Sequence, residues 1–265
     1  MTTLQQQFGF TRQPFPRVPP AEAILRHKGL EDVLARLQFA LDRDTIALLV
    51  AESGCGKSTA LSLFARSLDA SSHQLVTLSL TTLSPFSLIS NIATSLGLKP
   101  RRFKGDTAAA LMGHLRSLPR RTILLIDEAH LLPDASLEDL RLLTADDFDR
   151  RSPFALVLCG QPLLRDRLSE PRHWALDQRI GVRIRLRPLT EAEVGSFLGL
   201  HLKAAGAEGA LFDAQAVTAI FHHSRGIPRL VQNLALASAL SALSAGATRI
   251  DQTTVQQAVV DLEDL

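Results

Sequence analysis

The chain has 265 residues, 46% of them hydrophobic and 21% charged, which excludes a disordered polypeptide and leaves enough apolar surface for a sizeable core. Lys and Arg number 29 against 27 Asp and Glu, so the net charge of +2 neither demands nor excludes a nucleic-acid partner. Two cysteines rule out a disulfide framework, no apolar run is long enough to span a bilayer, and MTTLQQQFGF lacks the features of a secretory signal, so the expectation is a cytoplasmic protein with no membrane partner.

In chain order, an amphipathic stretch from Ala21 to Leu41 leads into an apolar strand, Thr45 to Val50. Helical patterns at Lys57 to Leu68, Pro85 to Leu96 and Ser136 to Phe148 then alternate with strands at Leu75 to Leu80, Thr122 to Ile126, Phe154 to Cys159 and Val182 to Arg187. The first, third and fourth strands are nearly continuous apolar runs, as strands covered on both faces require. This alternation predicts an α/β domain with a parallel sheet over residues 1–187. After Pro188 only helical signals remain: Thr190 and Glu193 form a capping box, Asp213 and Asp251 can cap later helices, and Pro228 suits a first helical turn. Residues 188–265 therefore read as a small C-terminal α-helical lid.

The strongest chemical signal is Ala51-Glu52-Ser53-Gly54-Cys55-Gly56-Lys57-Ser58, which follows the first strand and opens a helix. It is the P-loop pattern with Ala in place of the first Gly. Glycines let backbone N–H groups turn inward around phosphate oxygens, and the helix N-terminus adds partial positive charge. Glu52 through Thr59 are thus expected to bind the phosphates of ATP, with Lys57 reaching the β- and γ-phosphates and Ser58 ligating Mg²⁺. Further on, the apolar strand Ile123-Leu124-Leu125-Ile126 ends in Asp127-Glu128. Asp127 at the strand end can hold the metal, and Glu128 can polarise an attacking water, which favours hydrolysis over phosphoryl transfer to a metabolite.

Three more residues have two readings each. Gln161, after the fourth strand, orients water beside the γ-phosphate or is a turn residue before Pro162. Arg179 reaches a neighbouring subunit's nucleotide as an arginine finger or makes a surface salt bridge. Arg229 contacts the γ-phosphate or is a solvated first-turn charge.

With these residues assembled, the chain resembles AAA+ ATPases, more narrowly the ExeA-like group that includes the TnsC and MuB transposition regulators. The resemblance rests on Phe8-Gly9-Phe10-Thr11-Arg12-Gln13-Pro14-Phe15, the P-loop, Thr82-Leu83-Ser84-Pro85, Asp127-Glu128-Ala129-His130, Gly160-Gln161-Pro162, Gln178-Arg179-Ile180 and Gly226-Ile227-Pro228-Arg229. It implies a five-stranded parallel sheet of order 5-1-4-3-2 and nucleotide at subunit boundaries of a ring or helical homo-oligomer. It also implies the first-sensor, arginine-finger and second-sensor roles for Gln161, Arg179 and Arg229. Phe8, Phe10 and Phe15 wall the adenine in this picture or else pack onto the core.

Members of the group divide between secretion-type proteins, which carry a membrane anchor after the ATPase, and regulators that bind duplex DNA with ATP and recruit a transposase. Because the chain stops at the lid, the regulator branch is the expectation, with an assembly ATPase of a secretion system as the alternative. A place for DNA exists in Lys99, Arg101, Arg102 and Lys104, grouped around Phe103 between Pro100 and Gly105 in an expected exposed loop. These cations can neutralise phosphates without reading bases, or simply stay solvated. Thr81 and Thr82 lie where related ATPases place a DNA-facing insertion.

Overall fold

A computed structural model describes residues 3–79, 82–145, 152–207 and 209–263. In chain order the elements are α1 (Leu4–Phe8), α2 (Lys28–Asp42), β1 (Ile46–Val50), α3 (Lys57–Ser67), β2 (His73–Leu78), α4 (Pro85–Ser95), α5 (Lys104–Ser117), β3 (Arg121–Ile126), α6 (Asp134–Leu143), β4 (Phe154–Gly160), α7 (Pro162–Leu168), α8 (Trp174–Asp177), β5 (Ile180–Arg185), α9 (Glu191–Ala204), α10 (Ala214–Ser224), α11 (Pro228–Ser244) and α12 (Gln252–Glu263). The expected strand end at Leu80, and residues 146–148 of an expected helix, lie outside the described residues.

The five strands form one parallel sheet of order β2-β3-β4-β1-β5, the order that the resemblance implies. Every residue of β1 and β4 is buried, because both strands are central and covered on both faces. The edge strand β5 instead alternates, with Ile180, Val182 and Ile184 buried and the residues between them exposed, so it begins two residues ahead of the expected Val182.

Two local expectations are corrected. The stretch from Ala21 to Leu41 is not one helix: a 3-10 turn at Ala21–Ala23 ends at Ile24, whose backbone is extended, and α2 starts only at Lys28. The basic stretch is not wholly a loop, since Lys104 and Gly105 open α5. That helix buries only Thr107, Leu111 and Leu115, one residue per turn, and this narrow stripe is broken by small residues.

The chain divides into two compact units, one of Gly29–Ser53 and Lys57–Leu186, the other of Met1–Lys28, Gly54–Gly56 and Arg187–Leu265. The helical unit thus includes more than the expected 188–265. In the sheet unit, Leu48, Leu124, Ile126 and Leu158 form the core with Leu88 and Ile92 of α4, Leu111 of α5 and Leu137 and Leu140 of α6.

In the helical unit, α9 to α12 bury Val194, Leu198, Ile220, Val231, Ala235 and Val255. Their ends follow the local rules: Thr190 and Glu193 form the capping box, and the side chains of Asp213 and Asp251 accept from Ala216 N and Thr254 N. The N-terminal motif joins this core. Thr11 N donates to Ala205 O at 2.8 Å, Phe15 stacks on His201 with ring centroids 5.5 Å apart, and Phe10 is buried in the same cluster. Phe10 and Phe15 therefore lack the exposed ring faces that an adenine wall needs, and packing onto a core is what these rings do.

His201 is 1% exposed, lies against Phe15 and Phe197, and neither ring nitrogen has a hydrogen-bond partner among the described residues. Burial alone lowers its pKa from 6.5 to about 4. The unfolded chain therefore takes up a proton that the folded chain refuses, and stability is lost as pH falls from 6.5 towards 4, by on the order of 3 kcal/mol. His201→Leu is expected to flatten that part of the pH profile, which urea denaturation midpoints between pH 7 and pH 4 will show.

Candidate nucleotide-binding site

The site grows from strand ends. The buried run of β1 carries the chain to Ala51, whose N–H donates to Gly160 O at the end of β4 (3.2 Å). The loop then turns through Gly54 (φ 82°) and Gly56 (φ 96°), both in the left-handed region that a Cβ disfavours, and enters α3 at Lys57. Ala51 does not have a positive φ, so the alanine at the motif's first position brings no strain. A Cβ on Gly56 would meet nothing within 4 Å, so the loop is open there.

Lys57 is 5% exposed, and its ammonium donates to Ala51 O (2.9 Å) and Glu52 O (3.1 Å), which holds the charge over the loop. Cys55 is buried, Glu52, Ser53 and Ser58 are exposed, and Thr59 is half-buried in the first turn of α3.

The acidic pair ends β3. Asp127 N donates to Leu78 O of β2 (2.9 Å), Asp127 Oδ1 accepts from Glu128 N (2.8 Å), and Ser58 Oγ donates to Asp127 Oδ2 (3.4 Å). A hydroxyl and a carboxylate brought together from two separate segments are the hard oxygen donors that suit Mg²⁺, so these residues fit the metal. Burial first, and then the Asp127 charge, push the Cys159 thiol pKa up, so the wall beside Asp127 is neutral.

Glu128 sits in the left-handed region (φ 50°, ψ 35°), at a cost of about 1 kcal/mol for a residue with a side chain. A 3-10 turn, Ala129–Leu131, follows at once. The Glu128 carboxylate lies 3.4 Å from Nδ1 of His130, a ring that is nearly buried. Gly160 makes room for this turn: a Cβ there would lie 3.2 Å from His130 N and 3.0 Å from Leu164 Cδ2.

Gln161 caps α7 through its backbone, and its side chain makes no capping bond. Arg179 is half-buried just ahead of β5. Its charge contributes, after Arg141 and His173, to the lowered pKa of Glu138. In the helical unit Arg229 is exposed on the first turn of α11, and its N–H donates to Gly54 O (3.2 Å). A Cβ on Gly54 would come within 2.8 Å of Arg229 Cβ, a second reason for glycine there.

Of the basic group, Lys99, Arg101 and Arg102 are exposed, with the Arg102 guanidinium 5.4 Å from the centre of the exposed Phe103 ring. Lys104 is engaged differently: its ammonium pairs with both oxygens of the nearly buried Asp139, at 2.9 and 3.0 Å. Thr82 is exposed, and Thr81 lies outside the described residues.

One residue that local pattern does not reveal is Arg167, whose guanidinium forks onto the His130 and Leu132 carbonyls beyond Glu128. Nothing marks it in Leu163-Leu164-Arg165-Asp166-Arg167.

Residues 40–168 match the protein family described as the AAA domain. General secretion pathway protein A of Aeromonas hydrophila is 28% identical over 270 residues, covering 98% of this chain but 48% of that protein, so the chain spans about half the length of this curated relative. Among solved structures, Cdc6p of Pyrobaculum aerophilum superposes with a TM-score of 0.67 at 20% identity, over 92% of this chain and 69% of that one. The Aeropyrum pernix ORC1 protein in complex with DNA superposes with a TM-score of 0.64 at 20% identity, over 94% and 67% of the two chains. The fold is that of the AAA+ P-loop proteins, and the match of residues 40–168 to the AAA domain supports an ATPase.

Because β4 and the Glu128 turn touch at Gly160, Gly160→Ala is expected to destabilise the protein by about 1–3 kcal/mol through overpacking. Guanidinium denaturation, with an unchanged slope and a lowered midpoint, is the measurement that checks it.

Proposed function

We propose that this AAA+ ATPase is a nucleotide-driven switch that assembles as a homo-oligomer on duplex DNA in the ATP state and controls a transposase through protein contact. The observation that carries the ATP reading is the meeting of Ser58 Oγ with the Asp127 carboxylate beside the buried Lys57 ammonium. In this reading Lys57 binds the β- and γ-phosphates, and Ser58 and Asp127 hold Mg²⁺. When bound, the metal neutralises charge on the phosphate oxygens. Glu128 accepts a hydrogen bond from the attacking water and draws off its proton. Gln161, Arg179 and Arg229 take the first-sensor, arginine-finger and second-sensor roles by resemblance.

Assembly is supported by apolar surface on the sheet unit. Trp174, Leu163 and Leu131 are 64%, 57% and 50% exposed on α8, α7 and the 3-10 turn at Ala129–Leu131, and α7 touches each of the other two. The DNA reading is supported by the exposed Lys99, Arg101 and Arg102, with Thr82 as a hydroxyl donor, and by the fold shared with the Aeropyrum pernix ORC1 protein, a structure solved in complex with DNA. Lys104, paired with Asp139, is the weakest member of the set. Contacts of this kind go to phosphates, so binding is independent of sequence.

A second reading, an assembly ATPase of a secretion system without DNA affinity, is favoured by the likeness to General secretion pathway protein A. No helix among the described residues is long and apolar enough to cross a membrane.

Duplex binding titrated against salt, with and without ATP, separates the two. Lys57→Ala is expected to abolish ATP-dependent retention of DNA, and Glu128→Gln to accumulate long-lived ATP-bound assemblies. Arg101→Ala and Arg102→Ala are each expected to reduce the salt slope by about 1. If ATP changes oligomer size yet leaves DNA affinity at background, the secretion reading stands and the DNA reading is lost.

A further inference from the structure

The turn that presents Glu128 closes on itself through two backbone bonds, Leu131 N to Glu128 O (2.9 Å) and Leu132 N to Ala129 O (3.2 Å). The carbonyls of His130 and Leu132 are satisfied from elsewhere. Both accept from one side chain, Arg167 of α7, whose two terminal nitrogens reach them at 2.6 and 2.9 Å. The second of these nitrogens also donates to Asp134 Oδ1 at 2.5 Å. Asp134 in turn receives Arg172 (2.9 Å) and lies 3.0 Å from His173 Nε2, and Arg172 also pairs with Glu170 at 2.5 Å. Arg167 is 17% exposed on its side chain, so the fork is held where water competes little.

This arrangement asks for arginine in particular. Two carbonyls and a carboxylate are spanned by one planar, permanently charged fork, which the single ammonium of lysine cannot reproduce. It also answers a specific need. Glu128 occupies a backbone region that a residue with a Cβ leaves readily unless its surroundings over-determine it. Gly160 leaves room for the turn on the β4 side, where a Cβ would lie 3.2 Å from His130 N, and Arg167 pins it at His130 O and Leu132 O from the α7 side.

We propose that Arg167 is a positioning residue for ATP hydrolysis: by holding the His130 and Leu132 carbonyls it fixes the left-handed turn that aims the Glu128 carboxylate. The inference rests on the reading of Glu128 as the acid that activates water.

The test compares single-turnover hydrolysis of radiolabelled ATP with equilibrium binding of a fluorescent ATP analogue, for the whole chain and its Arg167→Met, Arg167→Lys, Glu128→Gln and Glu128→Gln/Arg167→Met variants. Arg167→Met is expected to lower the hydrolysis rate about 10-fold or more while nucleotide affinity and KM stay within about twofold, because misaiming a catalytic group costs rate and not binding. Arg167→Lys is expected to recover part of the loss. In the Glu128→Gln background, Arg167→Met is expected to cost nothing further, since its effect runs through Glu128.

Wild-type hydrolysis by Arg167→Met overturns the proposal. So does an equal loss in the Glu128→Gln background, or a loss of nucleotide binding in step with hydrolysis. Should Arg167→Met fail to fold, Arg167→Lys carries the same comparison. Full hydrolysis by Glu128→Gln alone overturns the reading of Glu128, and with it this proposal, by a separate and recognisable result.

Discussion

The whole site depends on the parallel register of three strands that are far apart in the chain. β4 lies between β1 and β3, pairing Leu158 with Leu48 on one side and with Ile126 on the other. A parallel sheet brings all carboxyl ends to one edge, so the loops leaving β1, β3 and β4 emerge side by side. The Ser58–Asp127 hydrogen bond, between residues 69 positions apart, is the consequence. Without that register a P-loop and an acidic pair remain two unrelated motifs.

Much of the architecture around the edge serves to hold one residue in a conformation it does not favour. The turn at Glu128 packs close to a glycine on β4 that leaves it room, and it is held by a nearly buried histidine ring and by an arginine whose charge is balanced by Asp134. Strain of this kind persists only where neighbours over-determine it, and here they come from the strand and the helix on either side of Gln161. The same economy explains the small residues: Gly160 is needed because other parts of the chain pass within a Cβ's reach, and Gly54 for that reason as well as for its left-handed backbone.

The basic cluster is held less firmly than the nucleotide site. Lys57, Ser58, Asp127 and Glu128 are tied into the strand ends and the loop through bonds, whereas Lys99, Arg101 and Arg102 share only a stretch of chain and an exposed surface. Lys104 shows the difference. It belongs to the same cluster in sequence, yet its ammonium is bound to Asp139, an acid 35 residues further along the chain.

Strands buried on both faces and helices with capped ends were legible in the residues, because each carries its own signal within a few positions. Thus β1, β3 and β4 show as apolar runs, and Thr190, Asp213 and Asp251 as caps. The phosphate loop and the acidic pair were legible for the same reason, since glycine, lysine and adjacent acids act through local backbone geometry. What stayed hidden is set by contacts between distant positions. The narrow buried stripe of α5, the break at Ile24, the burial of Phe10 and Phe15 and the grip of Arg167 on His130 and Leu132 all depend on partners remote in the chain. Sequence alone therefore picked out the phosphate-loop pattern and the acidic pair. The tertiary structure decided how the Glu128 turn is held and which of the clustered cations is paired, because orientation and pairing are properties of neighbours in space.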